Sequence, residues 1–73
     1  MARKEWIGEY FLYVQKYHSY KDEYIFDSIS LGKCLGKDEA CDKAVNVLLR
    51  DYSNAKVREV YICDGWGHLT YMN

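Results

Sequence analysis

Three cysteines, two histidines and eleven acidic side chains are the residues of this 73-residue chain best suited to chemistry. Cys34, Cys41 and Cys63 are odd in number and form no CxxC pair, so they do not read as a secreted disulfide framework. With His18 or His68 they would make up a zinc ligand set, but their spacing matches no standard site. The simpler expectation has Cys41 and Cys63 as small hydrophobes and Cys34 near a sheet end, with no metal and no cofactor. His18 falls in a loop and His68 on a strand. Either imidazole has the chemistry of a general base, yet no carboxylate stands at a spacing that fixes it. Ser19, Ser28, Ser30 and Ser53 lack a GxSxG context, and neither Gly32-Lys33 nor Gly36-Lys37 has the glycine spacing of a P-loop. The acidic pairs Asp22-Glu23 and Asp38-Glu39 read as a solvated loop and a helix start. The expectation is a protein that is not an enzyme.

These side chains are positioned by five elements. Trp6 to Tyr17 is dense in aromatic and β-branched types and reads as a strand. The period of two puts Trp6, Tyr10, Leu12 and Val14 on one face and Phe11, Tyr13, Gln15 and Tyr17 on the other. His18 to Glu23 is a polar loop. Tyr24 to Leu31 reads as a second strand, with Ile25, Ile29 and Leu31 opposed to Tyr24, Phe26, Ser28 and Ser30. Asp27 interrupts its apolar face, which points to an edge or a bulge. Gly32 and Gly36 bracket a turn around Lys33-Cys34-Leu35. A helix follows, with Asp38 as N-cap and Glu39 at the positive end of the dipole. Ala40, Cys41, Ala44, Val45, Leu48, Leu49 and Tyr52 form its apolar stripe, opposite Asp42, Lys43, Asn46 and Arg50; it stops near Ser53-Asn54. Val57 to Cys63 is a third strand. Asp64-Gly65-Trp66-Gly67 is a strong turn signal, and Leu69 and Tyr71 mark a short fourth strand with His68, Thr70 and Met72 on its reverse side. The expected fold class is α+β: a single domain over 1–73 in ββαββ order, its four-stranded, mostly antiparallel sheet carrying one helix on one face.

Composition sharpens the functional reading. Ten basic and eleven acidic residues leave a net charge of -1, which argues against a general polyanion binder. The longest strongly apolar stretch, Tyr10–Val14, is too short to span a bilayer, and the charged start from Met1 to Trp6 leads into no apolar leader core. The expectation is a cytoplasmic protein with no membrane partner. Eight of the residues are tyrosine. One helix covers one sheet face, so the other is left to Phe11, Tyr13, Tyr17, Tyr24, Phe26, Tyr61 and His68. Large rings left in water mark a contact surface, and tyrosine tolerates both solvent and burial. The expected partner-binding residues are therefore Tyr13, Tyr17, Tyr24 and Tyr61, with Trp66 and the charges Asp22, Glu23 and Arg58 at the rim. Trp66, at the turn tip, is either an anchor for a partner's pocket or folded back on its hairpin. Alternatives for the face are a homodimer through it or stacking of single-stranded nucleic acid, with Lys16, Lys21, Lys33, Lys56 and Arg58 near the phosphates. The interleaved Glu9, Asp22, Glu23, Asp27 and Glu59 would largely cancel that attraction, so direct nucleic-acid binding is disfavoured.

The passage Ser28–Tyr52, with Gly36-Lys37-Asp38-Glu39-Ala40 leading into a helix, resembles the strand–glycine–helix passage of HicB-like antitoxins, although Val57–Tyr71 departs from a DNA-binding extension. Taken whole, the ββαββ order and the length are more similar to small phage-encoded inhibitors of the anti-CRISPR type. That resemblance implies a non-catalytic inhibitor or adaptor that blocks a larger protein machine, such as a CRISPR–Cas or other nucleoprotein complex, in the host cell cytoplasm if phage-encoded. It is a resemblance of architecture, and no family site is carried over to a position here.

Overall fold

The computed structural model describes residues 5–72; residues 1–4, part of the charged start, lie outside them. Strands β1 (Gly8–His18), β2 (Glu23–Cys34), β3 (Val57–Cys63) and β4 (Leu69–Met72) form one sheet, and helix α1 (Lys37–Asp51) lies between β2 and β3 in sequence. The sheet order is β2-β1-β3-β4 and all three pairings are antiparallel. The ββαββ fold class therefore stands.

Register assigns the faces. Leu12 lies between Ile29 and Ile62, and Val14 between Asp27 and Val60. Tyr10, Leu12, Val14, Leu31, Cys34 and Ile62 are buried in one cluster, which the helix joins through Ala40 and Ala44. Both alanines are fully buried, because a methyl group lets the helix backbone approach its neighbours closely. The helical stripe is rotated from its expected position. Val47 and Leu48 pack on the cluster, while Val45 and Leu49 are exposed at 45% and 68%. Lys43, expected in solvent, donates from Nζ to the Lys33 carbonyl at 2.8 Å.

Several local readings change: His18 ends β1 and is not in a loop, and His68 lies in the connection after β3 and not on a strand. Gly32 is not in a turn: β2 runs on through Lys33 to Cys34. Register shifts between Tyr10 and Phe11, which pair with Gly32 and Ser30, so Leu31 is the extra residue of a bulge. Gly32 takes φ +76 there, a conformation that suits a residue without Cβ. Bulge and edge both fall on β2 as expected, but the bulge sits at Leu31 and not at Asp27. The helix N-cap is Gly36, without a side-chain cap, and not Asp38. Glutamates answer the free amides instead. Glu5 Oε1 accepts from Lys37 N at 2.6 Å, and Glu39 Oε1 accepts from Leu35 N at 2.8 Å.

The last correction bears on function. β4 was expected to turn Leu69 and Tyr71 inward. Asp64 to His68 form a five-residue connection, so Cys63 pairs with Leu69 and Tyr61 with Tyr71. Cross-strand partners share a face, which sets Tyr71 and Leu69 beside Tyr61 and gives Thr70 and Met72 to the side of Ile62 and Val60.

Candidate functional site: an aromatic face and a tryptophan cleft

The sheet face opposite the buried cluster is paved with rings. Tyr13 pairs with Tyr61, Tyr61 with Tyr71, Gln15 with Phe26, and Tyr17 with Tyr24. Ring centroids lie 6.1 Å apart for Phe26–Tyr61, 5.4 Å for Tyr61–Tyr71 and 5.4 Å for Tyr17–Tyr24, tilted or edge-on as aromatic quadrupoles prefer. The row crosses the sheet from one edge strand to the other. Tyr13, Phe26, Glu59, Tyr61 and Leu69 enclose a shallow hollow of about 380 Å³ at its centre. Phe26, Leu69 and Tyr71 are about half exposed.

Several rings are held in place. Tyr61 Oη donates to Glu59 Oε1 at 2.9 Å, and Tyr17 Oη donates to Asp22 Oδ1. Each carboxylate acceptor raises the pKa of its phenol above the ordinary range by favouring the protonated, donating form. Asp22 itself adopts φ 54 in the hairpin turn, which aspartate tolerates better than most residues. At the same end of the face Arg58 lies 4.7 Å over the Tyr24 ring and Lys56 Nζ 5.4 Å over Tyr17. Glu23 begins β2 opposite His18 and is exposed.

The structure thus brings together Tyr13, Tyr17, Tyr24 and Tyr61, with Asp22 and Arg58 at one end. It separates Trp66 from them. It adds Leu69 and Tyr71, which were missed because their apolar character was read as inwardness. The four-residue turn Asp64–Gly67 and the observed five-residue connection Asp64–His68 set opposite faces, and only the pairing of Cys63 with Leu69 decides between them.

Trp66 belongs to a second feature on the core side. Its ring meets Trp6 edge to face, centroids 5.5 Å apart at 67°, and remains half exposed. His68 stands here too, 6.2 Å from Trp66, and not on the aromatic face where it was expected. Asp64 Oδ1 accepts from the amides of Trp66 at 2.9 Å and His68 at 3.0 Å, folding the turn on one carboxylate. Trp6 Nε1 donates to the Glu9 carbonyl, and Tyr10 Oη donates to the Trp6 carbonyl at 2.8 Å. The Trp6 ring lies so close over Gly65 that a Cβ there would stand 2.1 Å from it. A cleft of about 560 Å³ opens between this turn, Tyr10 and the start of α1.

Both histidines gain carboxylate neighbours that sequence spacing did not reveal. His68 Nδ1 lies 3.7 Å from Asp64 Oδ2. His18 Nε2 lies 3.3 Å from Asp27 Oδ1, off hydrogen-bond geometry, while Asp27 Oδ2 accepts from Tyr52 Oη at 3.2 Å. The cysteines are free, and burial pushes all three thiols up, away from the thiolate that nucleophilic or ligand chemistry needs. No group of cysteine, histidine and carboxylate side chains suited to a metal occurs among the described residues. No helix there is long and apolar enough to cross a membrane. No family model, curated protein or solved structure matches the chain.

Proposed function

We propose that the protein is a non-catalytic binding module that docks a partner protein on its aromatic sheet face. The observation that carries this reading is the row of rings Phe26, Tyr61 and Tyr71 running across the sheet on the side away from the core. Such a surface loses solvent on docking and gains the contact area that tyrosine supplies at interface hot spots. The hydroxyl tethers of Tyr17 and Tyr61 reduce the side-chain freedom lost on binding. A small module of this kind acts by occlusion, as an inhibitor or adaptor on a larger protein or nucleoprotein complex.

The test pairs Tyr13→Ala and Tyr61→Ala with recovery of partners from lysate of the natural host. Loss of a specific partner by both variants, with unchanged circular dichroism, supports the reading; undiminished recovery by folded variants refutes it. One observation favours a second reading, single-stranded nucleic acid on the same face: Arg58 and Lys56 stand over the Tyr24 and Tyr17 rings, where phosphates would flank stacked bases. The two differ in salt dependence. A protein complex held by rings weakens little between about 50 and 200 mM salt, whereas single-strand phosphate contacts lose roughly 0.7 of a decade in affinity per neutralised phosphate for each decade of salt.

A further inference from the structure

The cleft between Trp6 and Trp66 lies apart from the aromatic face and shares none of its lining with the hollow there. Its walls combine two properties. The indole rings meet edge to face at 67°, and Tyr10 lines the cleft beside them. Around them stand three carboxylates, Glu5, Asp38 and Asp64, from three separate segments of the chain. Among the described residues that line it, only Lys37 and His68 offset them, so this lining is net negative. Glu5 and Asp64 each spend one oxygen on backbone amides, which fixes the carboxylates in place; the second oxygen of Asp64 faces His68 Nδ1 at 3.7 Å.

Aromatic faces attract cations through their quadrupoles, tryptophan most strongly, and surrounding carboxylates add a long-range pull. Two rings set at an angle suit a compact, tetrahedral head group, which touches both indoles at once. A planar guanidinium stacks best on a single ring. A volume of about 560 Å³ also exceeds what one ammonium head requires and leaves room for its carbon stem. We propose that this cleft binds an alkylated ammonium group, seated against Trp6 and Trp66 with Asp38 and Asp64 balancing its charge. The inference stands independently of the aromatic face.

Both tryptophans of the chain line the cleft, so fluorescence excited at the red edge of tryptophan absorption, where the eight tyrosines do not absorb, reports on it. The protein is titrated with tetramethylammonium chloride, with sodium chloride at matched ionic strength, and with tert-butyl alcohol as the uncharged head of the same shape. Choline and a trimethyllysine peptide form two further arms, which distinguish a free small molecule from a side chain on another protein. The expected result is a saturable change with tetramethylammonium and none with the alcohol or the sodium salt, and tighter binding of choline or of the peptide. Trp66→Ala weakens binding about tenfold. Asp38→Asn, which keeps both indoles and breaks no hydrogen bond, weakens it about threefold. Should Trp66→Ala fail to fold, Asp38→Asn decides. An equal response to the alcohol, an unchanged affinity in folded Asp38→Asn, or no gain for either choline or the peptide overturns the proposal.

Discussion

Tyr52 shows how one hydroxyl couples the helix end to the sheet. Its Oη donates to Asp27 at 3.2 Å, and burial together with that carboxylate pushes its pKa up to about 12 from 10.0. The folded-state value lies above the unfolded one, so the neutral phenol contributes stability that is fully present below about pH 10 and is lost as pH rises toward about 12. Absorbance at alkaline pH should therefore show Tyr52 ionising last, after Tyr10, Tyr17 and Tyr61, whose pKa values are also raised, and Tyr52→Phe should remove that last step. The same variant strands the Asp27 carboxylate without its donor and should cost about 1 kcal/mol in urea unfolding at neutral pH. A second residue-scale expectation concerns Gly65. Gly65→Ala sets a methyl group where the Trp6 ring lies, so the ring must move. Fluorescence should report a more solvated tryptophan, with little change in secondary structure by circular dichroism.

At the scale of elements, the helix and the last hairpin depend on different devices. The helix approaches the cluster through Ala40 and Ala44, both with no exposed surface. Ala44→Leu adds three carbons where there is no space and should destabilise by about 1–3 kcal/mol. Thermal unfolding checks this: a domain of this size loses about 4–8 °C in Tm per kcal/mol. Val45→Ala, on the exposed side of the same helix, should leave Tm nearly unchanged. The helix start is held by Glu5, which reaches Lys37 N from a segment ahead of β1. Periodicity within the helix carries no trace of such a long-range cap. The last hairpin depends on the length of its connection. The connection from Asp64 to His68 sets Tyr71 beside Tyr61, and hydrophobicity alone pointed the wrong way.

For the molecule as a whole, the two sheet faces differ in burial. Leu12 has no exposed surface, whereas Tyr71 is 54% exposed. Leu12→Ala should cost about 2–5 kcal/mol through lost burial and the cavity it leaves. Tyr71→Ala removes mainly a cross-strand ring contact and should cost about 1 kcal/mol or less. Partner binding should respond in the opposite order, with folded Tyr71→Ala impaired and Leu12→Ala, at temperatures where it remains folded, binding normally. Chemical denaturation beside a binding assay measures both. The long strands β1 and β2 draw the molecule out to 47 × 21 × 19 Å and spread the rings along an extended surface.

The order of elements, the face alternation of β1 and β3 and the gathering of Tyr13, Tyr17, Tyr24 and Tyr61 on one face were all legible in the amino-acid sequence, because the period of two is a local property of extended backbone. Tertiary structure decided what depends on residues distant in the chain. It set the bulge at Leu31, the direction of β4, the cap from Glu5, the carboxylates beside His18 and His68, and the meeting of Trp6 with Trp66. Each is fixed by strand register or by packing between segments far apart in sequence, and neither leaves a periodic signal along the chain.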